Sequence, residues 1–186
     1  MKDLIWTESL LKAYARLENY IEMINKRVNA LALTTPSVQY GTTTEVIADK
    51  IFKLIDKKKI MIKTKYLIDE ILMQINQKYA TVLKMFFVQN KSKEQMAEYF
   101  EVSKRTISRY MIEGINYFKK VIKQREETKD ETLPSLFKKE TWMASIYYDN
   151  VRKKLWHTNR TLYKKFVKDC DFKKLKDYEK LYAYAI

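Results

Sequence analysis

Gly41 and Gly114 are the only glycines of the chain, and Pro36 and Pro134 its only prolines. Tight hairpins and short crossovers rely heavily on glycine, which reaches positive φ freely, and on proline, which presets a turn, and here both are almost missing. A chain that can seldom reverse direction is best served by long helices. Met, Leu, Ile, Lys and Glu are abundant and suit them. With 186 residues and 46% hydrophobic content there is ample material for a packed core. The expectation is an all-α protein.

Helical periodicity supports it. From Thr7, which can cap a helix start, Leu10, Tyr14, Leu17, Ile21, Ile24, Val28 and Leu31 recur at alternating spacings of four and three. That spacing keeps them on one face and allows coiled-coil-like packing. A polar loop follows, "TTPSVQYGTTT". Thr44 then caps a second stripe of Ile47, Ile51, Leu54, Met61, Ile68, Leu72 and Ile75, interrupted by Lys58 and Lys65. Two such helices joined by one loop predict an antiparallel hairpin over residues 1–77. A further helix from about Tyr79 to Gln89 offers Val82, Leu83, Phe86 and Phe87 to a core. Residues 126–134 hold a charged stretch ending at Pro134 and read as a linker. Residues 135–186 return to helical character as a small extension, basic and rich in aromatics, with thirteen Lys/Arg against six Asp/Glu.

The formal net charge is +14 and the pI about 9.6. Such a field concentrates polyanions, which points to nucleic acid first and an anionic membrane second. A Lys-rich set of solvated helix faces has the same composition, so charge alone does not choose. Local pattern does. Residues 92–110, "SKEQMAEYFEVSKRTISRY", read as two short helices around a turn. Ser92 can cap the first and Ser103 the second. Ala97 supplies the small residue where the helices cross, and Met96, Phe100, Val102, Ile107 and Tyr110 fall at offsets that bury the joint. Lys104, Arg105, Ser108 and Arg109 are then turned outward. The turn itself departs from the usual pattern, carrying Glu101 where Gly is common.

The chemistry suits a helix-turn-helix that reads duplex DNA. Ser103 and Thr106 add hydroxyls to the free N–H groups at a helix start, a setting that favours phosphate. Arg105 and Arg109 can each make a bidentate contact with guanine, while Lys104 reaches phosphate or base. From Val102 to Arg125 there are seven basic residues and one acidic residue, Glu113. Lys119, Lys120, Lys123 and Arg125 extend the positive charge along the backbone path. Residues 78–125 are thus the expected DNA-binding unit, with about 103–124 as the recognition helix.

"NKSKEQMAEYFEVSKRTISRYMIEGINYFKK" resembles the helix-turn-helix of sigma-factor region 4. Across residues 8–124 the layout resembles the ArpU/RinA-like regulators of phage late genes. Those share a first helix like "LLKAYARLENYIEMI", a loop like "TPSVQYGTTTEVIADK", a long helix and a region-4-like reader. The resemblance implies a small transcription activator of phage or mobile-element genes, with Lys104, Arg105, Ser108 and Arg109 at the base-reading positions. The extension after Pro134 lies outside it.

Double-stranded DNA is the expected partner. The long hairpin serves either a homodimer or contact with bacterial RNA polymerase. Two other classes fit the same pattern: a packaging protein like a phage small terminase subunit, and a helical protein-interaction module. Catalysis is not expected. The sole histidine, His157, and the sole cysteine, Cys170, do not make a metal site, and two distant glycines do not make a phosphate loop. No cofactor is implied. The lack of a long apolar run and the single cysteine suit a cytoplasmic setting with no membrane partner.

Overall fold

A computed structural model describes residues 2–34, 36, 43–126 and 141–169. All regular structure among them is helical, in seven elements: α1 (Lys2–Ala32), α2 (Thr44–Gln74), α3 (Gln77–Phe87), α4 (Lys93–Tyr99), α5 (Lys104–Glu126), α6 (Thr141–Thr158) and α7 (Arg160–Asp169). The all-α expectation is borne out. Most of the expected linker, the segment after residue 169 with Cys170, and the loop around Gly41 lie outside the described residues.

The first two helices run antiparallel, as two cross-links show. The Tyr14 hydroxyl donates to Asp69 Oδ1, and Lys65 Nζ donates to Glu18 Oε1. Both pairs keep the same register. Lys65, one of the two lysines that interrupt the second stripe, is therefore a tie to α1. Burial first, and then the bond to Asp69, push the Tyr14 hydroxyl pKa upward. Two cap assignments need correction. Thr7 lies fully buried within α1, which starts at Lys2, because Trp6 also packs on the core and extends the stripe backward. The cap of α2 is Thr43, whose Oγ1 accepts from the Val46 N–H at 3.3 Å.

A continuous core joins Leu10, Leu17 and Ile24 of α1 to Met61, Ile68 and Leu72 of α2, and reaches Phe87, Phe118, Tyr147 and Phe166. The amino-terminal hairpin, α3, the distal half of α5, and α6 and α7 therefore share one apolar interior, which drives their association. Asn150 of α6 is buried against α1, and its amide donates to Ser9 Oγ at 2.7 Å while its carbonyl accepts from Lys12 Nζ at 2.7 Å. Burying an amide is tolerable only when it is satisfied in this way.

Gly114 sits in the middle of α5, where a glycine costs about 1 kcal/mol of helix stability relative to alanine. Close packing explains its presence: a Cβ there would come within 3.3 Å of Leu83 Cγ and Tyr79 Cβ. Its missing side chain lets α3 lie directly on α5.

Candidate nucleic-acid interface

Ser92 opens α4 with a reciprocal cap. Its Oγ accepts from the Gln95 N–H at 3.2 Å, and Gln95 Oε1 accepts from the Ser92 N–H at 3.0 Å. Two otherwise unpaired donors are satisfied at once. Seven residues later the helix ends in a paired stop. The Glu101 N–H donates to the Glu98 carbonyl at 3.2 Å, and the Val102 N–H to the Ala97 carbonyl at 3.0 Å. This is a Schellman closure, which requires a left-handed residue, and Glu101 takes that conformation with φ of 52°. The turn keeps its ordinary length and places strain on a residue with a Cβ.

Ser103 then starts α5. Its Oγ accepts from the Thr106 N–H at 3.1 Å and lies 2.9 Å from Thr106 Oγ1. Beneath the turn, Val82, Met85, Met96 and Ile107 form a second buried cluster, with Ala97, Phe100, Val102 and Tyr110 packed around it. Every apolar residue expected to hold the joint is in this cluster. Ala97 thus has two roles, as small contact and as carbonyl acceptor for the stop.

The outward residues differ in how far they are engaged. Arg105 and Arg109 are exposed and one turn apart on one face of α5. Arg105 makes no ion pair with a described residue. Arg109 Nε lies 3.8 Å from Glu113 Oε1. Glu113 Oε2 in turn accepts from the Tyr79 hydroxyl at 2.6 Å, and that bond is the main reason the phenol pKa is pushed up to about 12. Lys104 is exposed but bonded to Glu94 of α4 at 2.8 Å. Thr106 and Ser108 are half-buried. Farther along, Lys120 and Lys123 are exposed and Lys119 is half-buried. Arg125 does not join this face. It is held by Glu70 of α2 at 2.6 Å, a contact made by the approach of α2 to the end of α5.

The structure also exposes residues that a reading by charge passed over. Ile112 and Asn116 project between Arg109 and Lys120, so Arg105, Arg109, Ile112, Asn116, Lys120 and Lys123 form one solvent-facing stripe. At 1.5 Å per residue it is about 27 Å long. The signal was present in the sequence as the 3.6-residue period counted outward from Arg105. The other flank of the turn has the opposite sign: Glu94, Glu98 and Glu101 line a shallow hollow beside Lys104.

Among the described residues no cluster of His, Cys, Asp or Glu could hold a metal, and His157 is exposed. No helix among them is long and apolar enough to cross a membrane. No family model, curated protein or solved structure matches the chain.

Proposed function

We propose that the chain is a sequence-specific duplex-DNA-binding transcription regulator that lays α5 in the major groove. The observation that carries this reading is the exposed stripe on α5, headed by Arg105 and Arg109 at the start of the helix. Guanidinium groups there pair bidentately with guanine, Asn116 has the donor and acceptor that adenine requires, and Ile112 suits a thymine methyl. Ser103 and Thr106 lie beside the positive end of the helix dipole, where a phosphate is favoured. Lys120 and Lys123 continue the contact along the backbone and supply affinity without sequence preference.

The acidic hollow constrains the approach. Glu94, Glu98 and Glu101 repel phosphate, so the duplex meets α5 along its stripe and stays off that flank of α4. Activation of phage or mobile-element genes is the regulatory role proposed, in line with the region-4-like pattern. The test is footprinting on DNA flanking the coding region. One protected segment, lost with an Arg105→Ala/Arg109→Ala double variant, supports the reading, and equal protection by that variant ends it.

A homodimer is proposed alongside it. On α2, Phe52, Lys59, Tyr66 and Met73 recur every seven residues, and all are exposed. An antiparallel pair of α2 helices sets Phe52 against Met73 and Lys59 against Tyr66, an aromatic–sulfur and a cation–π pairing. Such a two-fold pair presents two copies of α5 to a palindromic site.

A further inference from the structure

A cleft of about 400 Å³ lies where α1, α6 and the turn after α3 meet. Three cations line it: Lys12 and Arg16, one turn apart on α1, and Lys153 on α6. Lys12 is anchored. Its ammonium donates to the Asn150 carbonyl, and the Asn150 amide is fixed by buried Ser9, so the charge is held at the wall. Arg16 and Lys153 are exposed and make no ion pair with a described residue. Among the described residues Asp149 is the one carboxylate on the wall, and it lies 3.5 Å from Arg152.

The wall gathers three positive charges around one space. Burial pushes the Lys12 ammonium pKa down; Glu8 opposes that shift, while Lys153 and Arg16 add to it. Like charges converging on one space repel, and an anion among them reverses the sign of the interaction. A guanidinium offers paired donors to a tetrahedral oxyanion, and the two ammonium groups add point charge.

We propose that this cleft binds a phosphate group, with Lys12 as the anchored donor and Arg16 and Lys153 closing on its oxygens. The group belongs either to a small phosphorylated molecule or to the backbone of a bound duplex, and the recognising chemistry is the same. The site does not use the α5 stripe, so it stands apart from the reading of α5 as a DNA reader.

Calorimetric titration of the full chain with inorganic phosphate, in a chloride buffer free of other oxyanions, tests the first source. Saturable binding with a Kd below about 1 mM is expected, at least about tenfold weaker in Arg16→Ala/Lys153→Ala. Both replaced residues are exposed, and the helical circular dichroism of the variant verifies its fold. Without phosphate the variant should melt no lower than the parent, since a repulsion has been removed. Fluorescence anisotropy on duplex DNA across a salt series tests the second source. If the cleft takes backbone phosphate, the variant flattens the log–log salt dependence by up to about 0.9 per lost contact. A phosphate titration and a salt slope both unchanged by the double substitution overturn the proposal. The phosphate titration contains no DNA, so its outcome does not depend on whether α5 reads a sequence.

Discussion

Glu94 of α4 and Lys104 of α5 meet at 2.8 Å across the turn that joins the two helices. The bond to Lys104 is the first cause, ahead of the Glu94 and Ser92 contacts, that holds the Glu94 carboxyl down to about 2. A depressed carboxyl contributes stability that is present above its unfolded pKa and lost as pH falls through the folded one. The pair should therefore weaken between about pH 4.5 and 2. Both groups are exposed, so solvent screens it and the global effect on stability is small. Carboxyl carbon NMR should place the Glu94 midpoint near 2, and Lys104→Ala should move it back toward the ordinary value.

The same pair predicts a functional asymmetry. Lys104 is already engaged, whereas Arg105 is not, so truncation of Lys104 should cost less DNA affinity than truncation of Arg105. Arg105→Ala or Arg109→Ala should lose about 1–3 kcal/mol on the preferred site and blunt discrimination between bases. Lys120→Ala should weaken all sequences alike and flatten the salt dependence by up to about 0.9. Competition anisotropy with specific and scrambled duplexes separates the two outcomes. Equal loss on both duplexes for Arg105→Ala would remove it from the base-reading set.

Glu101 carries the strain of the turn. A left-handed residue with a Cβ costs about 1–3 kcal/mol, and glycine avoids that at the expense of about 0.5–1 kcal/mol of extra chain entropy. Glu101→Gly should stabilise the protein by about 1 kcal/mol, read from urea denaturation. Glu101→Val should destabilise it, since a β-branched residue tolerates that φ least.

Much of this was legible in one dimension because it is local. Ser92 and Ser103 cap helices through residues three positions on, and the joint formed by Met96, Phe100, Val102, Ile107 and Tyr110 follows from periodicity within a single segment. The stripes of α1 and α2 were legible for the same reason. What escaped was set by packing between segments distant in sequence. Arg125 looked like a backbone contact because nothing nearby in sequence announces Glu70. The α1 cations of the cleft, Lys12 and Arg16, lie more than 130 positions from Lys153 on α6, so no motif links them to it. Thr7 looked like a cap because its hydroxyl suits one, while the packing of Trp6 carried the helix past it.

Gly114 weighs helix propensity against close packing. Alanine gains about 1 kcal/mol in a helix interior, but overpacking a filled core costs about 1–3 kcal/mol. The neighbours have little freedom: Leu83 is 1% exposed, and the Tyr79 Cβ is fixed to the α3 backbone. Gly114→Ala should therefore destabilise the protein, by about 1 kcal/mol net. It should also disturb the Tyr79–Tyr117 stack, whose ring centroids are 5.4 Å apart. A stabilised variant would mean that α3 and α5 separate at little cost.

The outer face of α2 supplies the last prediction. Met73 is 81% exposed, Tyr66 67% and Phe52 65%, a large apolar exposure to leave on one face of one helix. If two copies meet there, Tyr66→Glu sets a carboxylate in the centre of the seam opposite Lys59, an ion pair that replaces a cation–π contact and preserves the dimer. Phe52→Glu/Met73→Glu instead places like charges opposite one another at both ends, and should abolish it. Sedimentation velocity at micromolar concentration distinguishes these cases: dimer for the parent and the Tyr66 variant, monomer for the double variant. A parent chain that sediments as a monomer sinks the seam. In that case α5 meets its site as a single copy, with no requirement for a palindrome.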